Sequence, residues 1–230
     1  WPYGLEQVVA VCRARGIPLA VLPGDDQPDP ELQAWSTLPA EACHRLWQYL
    51  VHGGLDNADQ FLAYTAALLG SDETWREPAP LMRAGLYWPG LKGPDLRAVR
   101  RHWQPGRAVA AVVFYRALVQ AGDLEVIDAL IGALGDAGLD ALPIFTASLK
   151  DPLGAPLVRE LLREARPAVV LNATGFAVSS PGAWHSTPLD EPNRCVLQVV
   201  FAGGSREGWQ AGTRGLSARD LAMHVALPEV

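Results

Sequence analysis

The chain has 230 residues, 49% of them hydrophobic and 19% charged, and a net charge of -6. This is ordinary globular composition with room for one or two cores, and it lacks the basic face expected of a nucleic-acid binder. No run approaches the ~18 apolar residues of a membrane span, and Trp1-Pro2-Tyr3 opens no signal peptide. The expectation is a cytoplasmic protein with neither membrane nor nucleic acid as partner.

In chain order, Leu5 to Gly16 reads as a helix with Gly16 as C-cap. Ile17 to Leu22 then reads as a strand and Pro23-Gly24-Asp25-Asp26 as a turn, the last helix–strand unit of a domain that begins upstream. From Pro30 to about Gly70 the pattern is helical. Leu46, Trp47 and Leu50 space as one face, His52-Gly53-Gly54 is a break, and Asn57 is placed to cap the next helix. Residues 1–72 therefore form the end of an α/β domain plus a helical segment. Residues 73–107, rich in Pro, Gly and Trp, read as a linker or extended segment.

Residues 108–230 form the expected α/β domain. Ala108 to Tyr115 (AVAAVVFY) is an apolar run of strand length. Asp123 to Ala137 is a helix with Val126, Ile127, Leu130, Ile131 and Leu134 on one face, closed by Gly138. Leu142 to Thr146 is a second strand, Ala155 to Ala165 a helix, Ala168 to Leu171 a third strand, and Cys195 to Phe201 a fourth. Ser217 to His224 is a helix with a capping-box-like start at Ser217 and Asp220. Near-continuous apolar strands alternating with helices mean a parallel sheet with helices on both faces, Rossmann/flavodoxin-like or periplasmic-binding-like.

Open parallel sheets bind ligands at the carboxyl ends of their strands. Arg116 follows the first strand. Thr146, Ser148 and Lys150 follow the second, and Asn172, Thr174 and Gly175 the third. Three polar tips, two carrying a cation, suggest a pocket for a polar, anionic molecule. A second reading stands beside it, in which Asn172 and Thr174 satisfy loop backbone groups. Gly175 would let the chain turn tightly or approach a ligand closely.

Elsewhere the candidates are fewer. His185 stands in a loop beside Trp184, just before Asp190, and is a ligand-contact candidate. His224 and Glu229 are near enough in sequence to act as a base and its partner, or His224 complements a helix C-terminus. His44 and His102 read as structural or exposed. Trp184 and Trp209 flank the fourth strand and are placed to stack on a planar ligand. Cys12, Cys43 and Cys195 stand far apart without a C-x-x-C and read as buried free thiols of a reducing compartment. The Asn172-Ala173-Thr174 sequon is discounted without a secretory signal. Of the 19 basic residues only Lys92 and Lys150 are lysines, and neither completes a P-loop.

Several phrases together carry a resemblance. They include Leu22-Pro23-Gly24-Asp25-Asp26, Val112-Val113-Phe114-Tyr115-Arg116, Phe145-Thr146-Ala147-Ser148-Leu149-Lys150-Asp151, Leu171-Asn172-Ala173-Thr174-Gly175-Phe176, Pro188-Leu189-Asp190, and Gly215-Leu216-Ser217-Ala218-Arg219-Asp220-Leu221-Ala222-Met223-His224. In combination they make the whole chain resemble the large subunits of the aerobic cobaltochelatases, the CobN type. The large subunits of magnesium chelatase are more distantly similar. Members of that family are several times longer, so the chain is expected to be a fragment.

The resemblance implies insertion of cobalt ion, as a substrate, into the corrin precursor hydrogenobyrinic acid a,c-diamide in cobalamin biosynthesis. It implies ATP hydrolysis by separate AAA+ partner subunits. The chemistry then assigns candidates. Ring N–H protons must leave, so a base is needed, and Glu207, His224 and Glu229 are the candidates, with Asp190 and His185 behind them. His185 and His224 are also the weak metal contacts. Peripheral carboxylates and amides call for Arg116, Ser148, Lys150, Asn172, Thr174 and Gln198. The family pattern suggests a His after Tyr87, where Trp88 stands here. Two readings compete: a non-catalytic tetrapyrrole or small-anion binding module, and a scaffold docking the AAA+ subunits.

Overall fold

The computed structural model describes residues 4–175, 187–190, 195–213 and 215–222. The chain divides into two units, one of residues 1–81 with Gln120–Gly122, the other of Met82–Val119 with residues 123–230.

The first unit is helical. Helix α1 (Leu5–Arg15) ends at Gly16, whose left-handed backbone lets its N–H and that of Ile17 reach the Arg13 and Cys12 carbonyls. The strand expected at Ile17 to Leu22 does not form. The segment has no strand beside it among the described residues. Its N–H groups go instead to hydroxyls, Leu19 to Thr37 Oγ1 at 2.7 Å and Val21 to Ser36 Oγ at 2.8 Å. Helix α2 (Pro30–Gln33) is capped by Asp29, whose carboxylate accepts from the Leu32 N–H.

Helices α3 (Ala40–His52) and α4 (Leu55–Leu68) pack on each other through Ala42, Leu46, Tyr49 and Tyr64. Leu50 does not join the α3 face. It lies one helical step beyond Tyr49, turned to solvent and 54% exposed. Asn57 is not the α4 cap either. Gly54 holds that position, and the buried Asn57 amide bridges the Gly53 carbonyl and both backbone groups of Ala79.

The second unit is built on a five-stranded sheet of order β1-β3-β2-β4-β5. Strand β1 (Ala84–Leu86) and helix α5 (Leu96–Arg100) arise inside the stretch expected to be extended. Gly85 allows this, because a Cβ there would stand 2.8 Å from the Phe145 ring. Trp88, where a His was expected, packs against the core and stacks on His102 with ring centres 4.5 Å apart.

Strand β2 (Ala108–Tyr115) leads through α6 (Arg116–Ala121) and α7 (Glu125–Asp136) to β3 (Leu139–Thr146). Helix α8 (Ala155–Ala165) leads to β4 (Val169–Asn172), and β5 (Cys195–Gln198) lies beyond it. Helices α6 and α9 (Arg206–Ala211) were not anticipated. Helix α10 (Ala218–Leu221) starts at Ser217 with the expected box, Ser217 Oγ accepting from the Asp220 N–H at 3.0 Å and donating to Asp220 Oδ2 at 2.7 Å.

Strands β3, β2, β4 and β5 run parallel, while β1 pairs antiparallel on β3. One sheet face buries Ala111, Val113, Leu142, Ile144 and Val170 with Val158, Leu161 and Leu162 of α8 and Leu96 and Val99 of α5. The alternate residues Ala110, Val112 and Phe114 are also fully buried, so both faces are covered. Among the described residues no helix is long and apolar enough to cross a membrane. The three cysteines are unpaired, but only Cys43 is buried; Cys12 is half-buried and Cys195 exposed.

Candidate functional site

The chain leaves central β2 to one side for β3 and crosses to the other side for β4. Strand order reverses there, so the crevice at the tips of β2 and β4 is the topological switch point. Register aligns the tips: Tyr115 stands beside Thr146, and Asn172 lies between Val113 and Gln198.

At the β4 tip, Asn172 and Thr174 are both buried. Asn172 Oδ1 accepts from the Thr174 N–H at 3.1 Å and from Thr174 Oγ1 at 2.7 Å. Asn172 Nδ2 donates to Gln198 Oε1 at 3.0 Å, and Gln198 Nε2 donates to the Thr174 carbonyl at 2.9 Å. Three of the expected substrate contacts are thus brought together, bonded to one another. The Gly175 N–H donates to the Tyr115 hydroxyl at 2.9 Å, tying the β4 tip to the β2 tip.

The β3 tip is a tight loop. Thr146, fully buried, donates through Oγ1 to the Ser148 carbonyl at 3.0 Å, and Ser148 Oγ accepts from the Lys150 N–H at 3.1 Å. The Lys150 side chain is exposed. Asp151, with 5% of its side chain exposed, pairs with Arg83 through Nε and Oδ2 at 2.7 Å. Burial alone would raise the Asp151 pKa. The Arg83 bond and the N–H groups of Leu153 and Gly154 outweigh it and hold the carboxyl below its usual range.

At the β2 tip Arg116 is half-buried, and its Nε donates to the Met82 carbonyl at 2.9 Å. Asp190 is exposed and accepts from the Thr187 N–H at 2.7 Å. His185, His224 and Glu229 lie outside the described residues, as does Trp184. Among the described residues no group of three His, Cys, Asp or Glu side chains converges to hold a metal.

A separate hollow of about 660 Å³ lies along the chain after β5, lined by Ser205, Trp209, Leu216, Ser217 and Asp220 among small residues. Its volume is in the range of small-molecule sites. Trp209, 59% exposed, lines it; Glu207 is exposed and does not. Two residues apart on one helix turn cannot share a face. Asp220 braces the hollow, its Oδ1 accepting from the Gly203 N–H at 3.0 Å.

Three residues of the tips were not singled out from sequence. Tyr115 closes an apolar run and reads as core. Asp151 carried a usable signal, an acidic residue just ahead of a helix start. Arg83 carried none, because β1 was hidden in a Pro- and Trp-rich stretch.

Comparison with known proteins agrees with this architecture. The chain is 46% identical over 99% of its length to the aerobic cobaltochelatase subunit CobN of Sinorhizobium sp, and 45% identical over 100% to that of Pseudomonas aeruginosa. It spans 19% and 18% of those two proteins. Its fold matches a structure described as the catalytic subunit of cobaltochelatase from Mycobacterium tuberculosis, at a TM-score of 0.71 and 28% identity, covering 100% of this chain and 19% of that one. The sequence profile described as CobN/Magnesium Chelatase matches residues 47–230. With that profile over most of its length, on a mostly parallel sheet with a polar switch point, the chain belongs to the CobN/magnesium chelatase family.

Proposed function

We propose that this chain is part of the tetrapyrrole- and metal-handling large subunit of an aerobic cobaltochelatase. The subunit inserts Co2+ into hydrogenobyrinic acid a,c-diamide during cobalamin biosynthesis, with ATP hydrolysed by separate AAA+ subunits. The observation that carries the reading is the 46% identity to a CobN subunit, sustained over 99% of the chain. Cobalt is preferred to magnesium on that likeness. The division proposed for the chain is a helical part followed by an α/β domain that carries the site.

The geometry adds roles. Lys150, Ser148 and Arg116 stand at the β3 and β2 tips, where corrin carboxylates find cations and donors. Asn172, Thr174, Gly175 and Gln198 stand on the other side of β2, at the β4 and β5 tips, with Asp190 as a further polar contact. Trp209 offers an aromatic face beside the hollow. Removal of ring protons falls to Glu207, His224 or Glu229, with His185 and His224 as passing metal contacts. A weak metal hold suits the chemistry, because the ring nitrogens must win the ion.

One observation favours a docking role as well. Leu55 and Leu62 of α4 and Leu69 at its C-cap are spaced seven residues apart and are 69%, 65% and 67% exposed. A partner-binding face on the helical unit is compatible with a site on the sheet unit.

The test is a titration of the chain with hydrogenobyrinic acid a,c-diamide, followed by tryptophan fluorescence, with a magnesium-pathway porphyrin as control. Quenching by the corrin alone is the expected outcome. Quenching by the porphyrin alone would favour magnesium. Silence toward both would remove the substrate site from this chain and leave the docking role.

A further inference from the structure

We propose that Arg83 and Asp151 are positioning residues for the β3 tip. They hold the Thr146–Lys150 loop so that Lys150 is left to meet an anionic group of the substrate. The inference rests on reading the strand tips as the substrate wall.

The loop is tied at every turn. The Ala147 N–H donates to the Arg83 carbonyl at 2.7 Å, so the backbone of Arg83 extends the β1–β3 pairing into the loop. Its side chain then reaches Asp151 at 2.7 Å. The Asp151 N–H returns to the Ser148 carbonyl at 3.2 Å, which also accepts from Thr146 Oγ1 at 3.0 Å. On the far side the Asp151 carbonyl accepts from Ala155 N–H at 2.8 Å, and Oδ1 accepts from Leu153 N–H at 3.2 Å. One residue therefore joins the β3 tip, the β1 edge and the start of α8. The fit is close: a Cβ on Gly154 would stand 3.1 Å from Asp151 Oδ2 and 3.3 Å from Ala84 Cβ.

Charge allocation makes the arrangement more than a brace. Asp151 follows Lys150 directly in the chain and is the carboxylate nearest to it in sequence. Had the two paired, the ammonium at the tip would be neutralised. Instead the Asp151 carboxylate is buried and matched by Arg83, 68 residues away in sequence. Among the described residues no ion pair takes the Lys150 ammonium. Buried charge needs a fixed partner, and that need keeps Asp151 turned from Lys150. Losing the Arg83 partner would free Asp151 to compete with the substrate anion.

The experiment is a double-mutant cycle in the full-length large subunit, reading affinity for hydrogenobyrinic acid a,c-diamide by fluorescence and folding by far-UV circular dichroism. Lys150→Met is expected to weaken binding about tenfold, the loss of one charged hydrogen bond. Asp151→Asn is expected to weaken it several-fold when Lys150 is present, and less than about twofold when Lys150 is already Met. A merely structural Asp151 would give the same loss in both backgrounds. Equal losses, or a silent Asp151→Asn beside an effective Lys150→Met, overturn the positioning role alone. A silent Lys150→Met overturns the strand-tip reading and this inference with it. Should Asp151→Asn fail to fold, Arg83→Lys carries the same cycle, because it removes the Nε–Oδ2 bond at a side chain that is 49% exposed yet keeps a cation beside the buried Asp151 carboxylate.

Discussion

Asn172→Ala is expected to act on stability before it acts on any ligand. The Asn172 amide takes two donors, the Thr174 N–H and Oγ1, and donates through Nδ2 to Gln198 Oε1 at 3.0 Å and, at the longer 3.5 Å, to the Thr174 carbonyl. Thr174 is 3% exposed and Asn172 8%, so water does not readily replace what truncation removes. An unsatisfied buried donor costs ~1–3 kcal/mol. The Thr174 hydroxyl can rotate toward another acceptor, whereas the Thr174 N–H cannot. One full penalty plus the lost link to Gln198 gives ~2–4 kcal/mol. For a unit of this size that is a fall in Tm of roughly 5–12 °C. The assay is a thermal melt by far-UV circular dichroism, paired with amide exchange at Thr174, whose protection should fall with the melt. An unchanged Tm together with unchanged Thr174 protection would refute the idea that the tip is internally satisfied. It would return Asn172 to the role of a direct ligand contact.

Gly85→Ala should destabilise the sheet unit by ~1–3 kcal/mol through overpacking, since the new methyl meets the Phe145 ring at 2.8 Å and Phe145 is only 4% exposed; a melt equal to the parent's would count against it. The Arg83–Asp151 pair predicts a pH dependence. The folded pKa of Asp151 is depressed, so its contribution is present above the ordinary carboxylate value of about 3.9 and is lost as pH falls through the lower folded value. The Tm gap between the parent and Asp151→Asn should therefore be full near neutrality and shrink below about pH 4; a gap constant into strong acid would contradict the pairing. Burial first, and then its bond to Asp128, raise the Tyr87 phenol above the ordinary tyrosine range. Tyr87→Phe should accordingly delete a component lying above the ordinary tyrosine range in an alkaline absorbance titration, and loss of an ordinary component instead would place that hydroxyl in water.

The alternating apolar runs and helices of residues 108–172 were enough to read a parallel sheet, because a strand buried on both faces leaves a continuous apolar signature. Helix ends were legible where a local device sets them, as at Gly16 and in the Ser217–Asp220 box. The short β1 was not legible: three residues in a Trp- and Pro-rich stretch carry no period, and only pairing on β3 makes them a strand. Ile17 to Leu22 failed the opposite way, with strand composition and no neighbouring strand to pair with among the described residues.

By itself the sequence determined which residue types stand at the strand tips, since chain order alone places Arg116, Ser148, Lys150 and Asn172 just after apolar runs. Only the tertiary structure decided what those groups do with their hydrogen bonds. Asn172 and Thr174 turn to each other and to Gln198, Arg116 reaches back to Met82, and Asp151 finds Arg83 across 68 residues. A pattern in sequence reports burial and periodicity, which are local. A polar partner is chosen by register and by direction in space, and these exist only once distant strands lie side by side.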